Sequence, residues 1–168
     1  MENVYSDDSE RLLSHYVKKY KSLIQDSLWR EFSLTMKMEA QTEKFVTYGL
    51  EFYYCGANCS SKKHFYTFVK SDGHLIKEII SHENLVRFFE DYPKYKHIEA
   101  DPWSGWPGWT FDPEEKFDIF SYGLLDDRLM LAISECGNHY LLTDFPYNQI
   151  FSYLSPEAQE LVAEKRHK

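Results

Sequence analysis

The residues best suited to nucleophilic or metal chemistry in this chain are its three cysteines and seven histidines, and their spacing organises neither. Cys55 and Cys59, with His64 close behind, are ligand types that zinc accepts. The spacing fits no common zinc pattern and a fourth ligand is missing, since Cys136 and His139 lie far off in sequence. An odd cysteine count without a regular framework argues against a disulfide scaffold, so Cys55 and Cys59 are expected as free thiols in a turn. Cys136, His139 and Asp144 have the types of nucleophile, base and orienter. Cys136 falls in a predicted hairpin turn, where side chains three apart seldom reach nucleophile–base geometry. The adjacent acids Glu114-Glu115 and Asp126-Asp127 diverge on a strand end or turn, whereas acid–base work needs converging carboxylates. They also lack calcium-loop spacing. Phosphate-binding glycine loops, His-Glu-x-x-His and Gly-x-Ser-x-Gly are all absent. No catalytic residue, metal or cofactor is expected.

The elements that would position any site read as one α+β domain over 1–168. Leu12, Leu13, Tyr16, Val17, Tyr20, Leu23, Ile24, Leu28 and Phe32 recur at three- and four-residue spacing, which predicts an amphipathic helix over 9–32. Residues 45–54 and 64–70, rich in aromatic and β-branched side chains, predict strands. Ser71-Asp72-Gly73 predicts a tight turn into a third strand at 75–80. Ser81 caps a short helix through Leu85, Val86, Phe88 and Phe89 that stops at Tyr92, before Pro93. Residues 93–113 form an irregular loop. Strands follow at 117–122, 128–134 and 139–143, and Ser155-Pro156 opens a C-terminal helix. The expected fold is a mainly antiparallel sheet of about six strands, with helices at the N-terminus, middle and C-terminus.

The formal net charge of −8 lies entirely in residues 99–144, where ten acidic side chains face only Lys116 and Arg128. The same stretch holds Trp103, Trp106 and Trp109 among prolines and glycines. Clustered carboxylates attract basic surfaces and repel phosphate backbones, so nucleic acid is not an expected partner. The tryptophans have two readings: they plug the loop onto the sheet, or at least one is an exposed interface anchor, with Trp106 the candidate. The candidate partner-binding set is Asp101, Trp103, Trp106, Trp109, Asp112, Glu114, Glu115, Asp118, Asp126 and Asp127. No run approaches the length of a membrane span, and the acidic start lacks the features of a signal peptide, so the expected setting is the cytoplasm.

The run Leu129-Met130-Leu131-Ala132-Ile133-Ser134-Glu135-Cys136-Gly137-Asn138-His139-Tyr140-Leu141-Leu142-Thr143-Asp144 resembles a pattern of the SUKH superfamily of small bacterial immunity proteins. There a strand, a tight Gly-rich turn, an aromatic-rich strand and an Asp follow in this order. Cys136-Gly137 stands where that family tends to have paired glycines. The resemblance implies a cytosolic protein that binds and blocks a toxin domain with a basic surface. Two alternatives stand beside it: a small enzyme or ligand-binding domain using His64, His139 and Asp144 in an aromatic-lined pocket, and an adaptor subunit of a larger complex.

Overall fold

The computed structural model describes residues 31–55, 59–98, 109–112, 120–136 and 139–165, together with Arg11, Ser14, Val17 and Lys18. These four are helical, but most of the helix predicted over 9–32 lies outside the described residues. Its expected end is corrected: Glu31 and Phe32 already belong to strand β1, Glu31–Gln41. Val17, assigned to the buried face, is 37% exposed.

Strand β2, Phe45–Cys55, lies between β1 and β3, Cys59–Val69, in an antiparallel sheet. Alternation sorts its two faces. Val46, Tyr48, Leu50 and Phe52 join Phe68 of β3 in one apolar cluster. Thr47 and Thr67, opposite each other in register, point the other way. The pairing of β1 slips between Met38 and Ala40, leaving Glu39 as a bulge residue. Its carboxylate lies across Gly49 and meets Lys63 Nζ at 2.8 Å.

The strand expected over 75–80 does not form. Gly73 makes the tight turn, with φ 77°, but only single bridges follow, Leu75 to Phe68 and Ile80 to Leu154. The edge of β3 has another occupant. Phe65 N–H donates to Ser121 Oγ at 2.7 Å, and Leu124 N–H to Thr67 Oγ1 at 3.3 Å. Thr67 O still accepts from Ile76 N–H at 2.9 Å, but the Phe65 N–H engaged by Ser121 is not available to extend that pairing into a fourth ladder. Residues 75–80 turn away and bury Ile76, Ile79 and Ile80 instead.

After helix α1, His82–Asp91, and a 3-10 turn at Pro93–Tyr95, the two-residue strands β4, His97–Ile98, and β5, Trp109–Thr110, pair briefly. Then β6, Phe120–Leu124, β7, Arg128–Cys136, and β8, His139–Pro146, form a second antiparallel sheet in sequential order. The six long strands are thus split between two sheets of three. The caps behave as their sequences dictate. Ser81 and Ser155 side chains accept from Asn84 N and Ala158 N, satisfying orphan donors of α1 and of α3, Pro156–Val162. A single turn, α2, Tyr147–Ile150, links β8 to the last segment.

Helices α1 and α3 cover the second sheet. Leu85, Phe88 and Phe89 pack with Leu129, Leu131, Phe145, Ala158 and Val162, all fully buried. Phe88 meets Tyr92, Tyr95, Phe145 and Tyr153 at ring separations of 5.0 to 5.5 Å. No described helix is long and apolar enough to cross a membrane.

Candidate functional site

Where the ends of the first sheet meet α3, the chain leaves an open groove of two adjoining lobes, about 890 and 510 Å³, that share Glu43, Lys44, Lys70 and Leu161. Four segments build it: the turn at 41–44, the turn at 70–74, the turn between β6 and β7, and α3 with the 3-10 turn Ala163–Lys165.

Each segment is locally fixed. Thr42 Oγ1 accepts from Lys44 N at 3.1 Å and Phe45 N at 3.0 Å, which sets the first turn. Asp72 Oδ1 accepts from His74 N at 3.2 Å and lies 2.6 Å from His74 Nδ1. Leu125 N–H donates to Arg128 O at 2.9 Å, presenting Asp126 and Asp127 between them. In α3 the spacing of Ala158 and Val162 buries one side, leaving Glu157 and Glu160 exposed at the groove.

The charges fall into two classes. Lys44 Nζ reaches Glu160 O at 3.3 Å and Glu164 at 3.3 Å; Lys70 Nζ donates to Thr42 O at 3.2 Å. Arg128 forks onto both Asp127 oxygens at 2.7 Å and reaches Asp144 at 2.7 Å. That fork holds the Asp127 carboxyl below its ordinary range. His74 presents its second ring nitrogen to Glu157. Its hydrogen bonds to Asp72 and then Glu157 raise its pKa above the usual imidazole value, and Asp72 is correspondingly lowered. Among the described residues, Glu43, Asp126 and the Glu160 carboxylate make no ion pair, and Lys165 is a lysine of the groove without one.

Of the ten residues expected at the partner surface, Asp101, Trp103, Trp106, Glu114, Glu115 and Asp118 lie outside the described residues. Asp126 and Asp127 are exposed and line the groove. Asp112 is exposed just after β5 and is not part of it. Trp109 is corrected: at 7% exposure it belongs to the core, its ring 6.3 Å from Phe89 and 6.0 Å from Phe111. A side chain so enclosed cannot serve as an interface anchor without unfolding its surroundings.

The cysteine expectation is also corrected. Cys55 and Cys59 form a disulfide, their Cα atoms 3.9 Å apart. They are paired across the β2–β3 hairpin in register, and a connection this short leaves two cysteines directly opposite. Among the described residues no group of three or more His, Cys, Asp or Glu is placed to hold a metal ion. His64 packs edge-on to Phe52 at 5.6 Å, and Asp144 is engaged with Arg128. The side chains of Cys136 and His139 lie outside the described residues, although their backbones pair in register.

Sequence reasoning missed Glu43, His74, Glu157 and Glu160. The turn signal at Ser71-Asp72-Gly73 and the cap at Ser155-Pro156 marked both neighbourhoods, but nothing in the sequence joins them.

No protein-family model and no curated protein matches the sequence. Among solved structures, the crystal structure of a DUF3298 family protein from Pseudomonas aeruginosa PAO1 at 2.15 Å resolution is similar, with a TM-score of 0.51 and 14% sequence identity. The match covers 89% of this chain and 78% of that one. At this identity the likeness is one of fold: an α+β chain, similar in architecture to that protein.

Proposed function

We propose that this chain is a non-catalytic binding protein that takes a basic segment or surface of a protein partner into the groove between the sheet ends and α3. The observation that carries the reading is the internal use of most cations: Lys44, Lys70 and Arg128 are held by groups of the chain itself, leaving Lys165 as the lysine of the groove without an ion pair among the described residues, against Glu43, Asp126 and Glu160, which are left to face an incoming charge. Carboxylates so placed speed encounter with cationic surfaces and repel phosphate backbones. The resemblance at 129–144 supports a particular use, that of an immunity protein occluding a toxin domain.

Disulfides persist where thiols are oxidised and are rare in a reducing cytosol. The Cys55–Cys59 bridge therefore supports an oxidising compartment.

The test is protection. Co-production with a basic toxin domain encoded beside this chain's gene should rescue growth. The Glu43→Gln, Asp126→Asn, Glu160→Gln variant should remain folded and lose at least tenfold in affinity, measured by calorimetry. Undiminished binding by that variant would remove the groove from consideration.

A further inference from the structure

The groove carries a titratable clamp. His74 sits at its edge with Nδ1 on Asp72, at the turn after β3, and Nε2 on Glu157, in the first turn of α3. A neutral imidazole has one N–H and one lone pair, so it can donate to only one of two carboxylates; donating to both requires the imidazolium. Ring protonation therefore decides whether Glu157 meets a cation or a neutral ring, which donates to it in one tautomer only and leaves its charge uncompensated in both. We infer that His74 is a pH-responsive gate on the groove: protonated, it neutralises Glu157 and weakens capture of a cationic partner; deprotonated, it frees that carboxylate and strengthens capture.

The surroundings suit the role. Besides Asp72 and Glu157, the charged groups on this lobe are Glu43 and Lys44 from the turn at 41–44, Lys70 from the end of β3, and Glu160 from α3. Both lysines are engaged within the chain. His74 is the histidine of this lobe, held between carboxylates of two separate segments. Core anchorage of α3 does not depend on the clamp, because Ala158 and Val162 are fully buried and Ser155 N–H donates to Ile79 O at 2.8 Å. The gate adjusts charge at the groove without releasing the helix. By linkage, a bound cationic partner lowers the proton affinity of the ring to the same degree.

This inference rests on the proposed reading of the groove. Its test uses the full chain with its disulfide intact and octalysine as probe, titrated by calorimetry between about pH 6 and pH 9, spanning and exceeding the ordinary imidazole range. Affinity should rise roughly two- to fivefold across that range, in keeping with the modest strength of exposed charge interactions. His74→Gln should hold the stronger affinity at every pH, and His74→Lys the weaker. A pH dependence that persists in His74→Gln, or a wild type without one, overturns the gate while leaving the groove reading in place. Failure of octalysine to bind at any pH overturns both.

Discussion

Thr47 and Thr67 place their hydroxyl oxygens 2.9 Å apart in the buried seam between the two sheets. Thr47 Oγ1 also lies 2.6 Å from Leu124 O, and a carbonyl only accepts, so the Thr47 proton is committed there. Thr67 then donates to Thr47 and accepts from Leu124 N–H. Two hydroxyls on one sheet thus satisfy both backbone groups of a residue on the other. The sheets are joined at this point by side chains, not by a continuous ladder.

That closed circuit makes Thr47→Val informative, since the change alters volume little. It strands the Leu124 carbonyl and takes away the acceptor of the Thr67 hydroxyl. Leaving such buried groups unsatisfied costs roughly 1–3 kcal/mol. Urea melts should show the loss, with Thr47→Ser retaining most of the stability. Equal midpoints for wild type and the Val variant would mean that the seam is held by packing alone.

Gly123 tests the same seam sterically. A Cβ there would lie 2.8 Å from Phe65 Cγ and 2.9 Å from Phe65 Cβ. These atoms sit at the root of a buried side chain and cannot swing aside, so β6 would have to shift from β3. Gly123→Ala is expected to destabilise by about 1–3 kcal/mol, the range for overpacking. A thermal melt unchanged by the substitution would contradict the close approach.

Trp109→Ala should behave as a core truncation. The ring is enclosed by Phe89 and Phe111, and removing a buried aromatic costs about 3–5 kcal/mol through lost contacts and the cavity left behind. Partner affinity, measured on the folded fraction, should not change. A variant with full stability and weakened binding would restore Trp109 to the interface.

The parts of this fold legible in the sequence are those written in local signals. Ser81 and Ser155 announced α1 and α3, Gly73 its turn, and the alternation of Leu129, Leu131 and Ile133 the buried face of β7. Strand β1 was legible too: Leu34, Met36 and Met38 alternate with Thr35, Lys37 and Glu39, but the helical period running up to Phe32 masked the change. The site was not legible, because it joins His74 to Glu157 and Glu43 to Asp126 across long separations. Charge counting drew attention to residues 99–144, Asp126 and Asp127 of the groove lining among them, yet a tally along the chain cannot see which cations fold back to occupy which acids.

The Cys55–Cys59 bridge predicts a redox-dependent stability. Titrating thiols in the unfolded, unreduced protein should find one free thiol among the three cysteines. Closing so short a loop restricts the unfolded chain by about 2 kcal/mol in the chain-entropy account. Dithiothreitol, or a Cys55→Ser, Cys59→Ser variant, should lower stability by about that amount in denaturant melts. Three titrating thiols would sink the assignment.

The clamp at His74 fixes the sign of a pH effect on stability. Its pKa is raised in the folded chain, chiefly by the Asp72 hydrogen bond and then by Glu157. The folded state therefore binds the proton more tightly than the unfolded state. This contribution is complete below the unfolded value of 6.5 and is lost as pH rises through the folded pKa. Asp72 runs the other way: its lowered pKa gives a contribution present above 3.8 and lost as pH falls through the folded value. Stability attributable to this pair should thus span a window bounded by acid on the Asp72 side and by mild alkali on the His74 side. Urea midpoints of wild type minus His74→Gln, followed from about pH 3 to pH 9, should trace that window. A difference that grows with pH above 7 would reverse the sign and remove the imidazolium from the clamp.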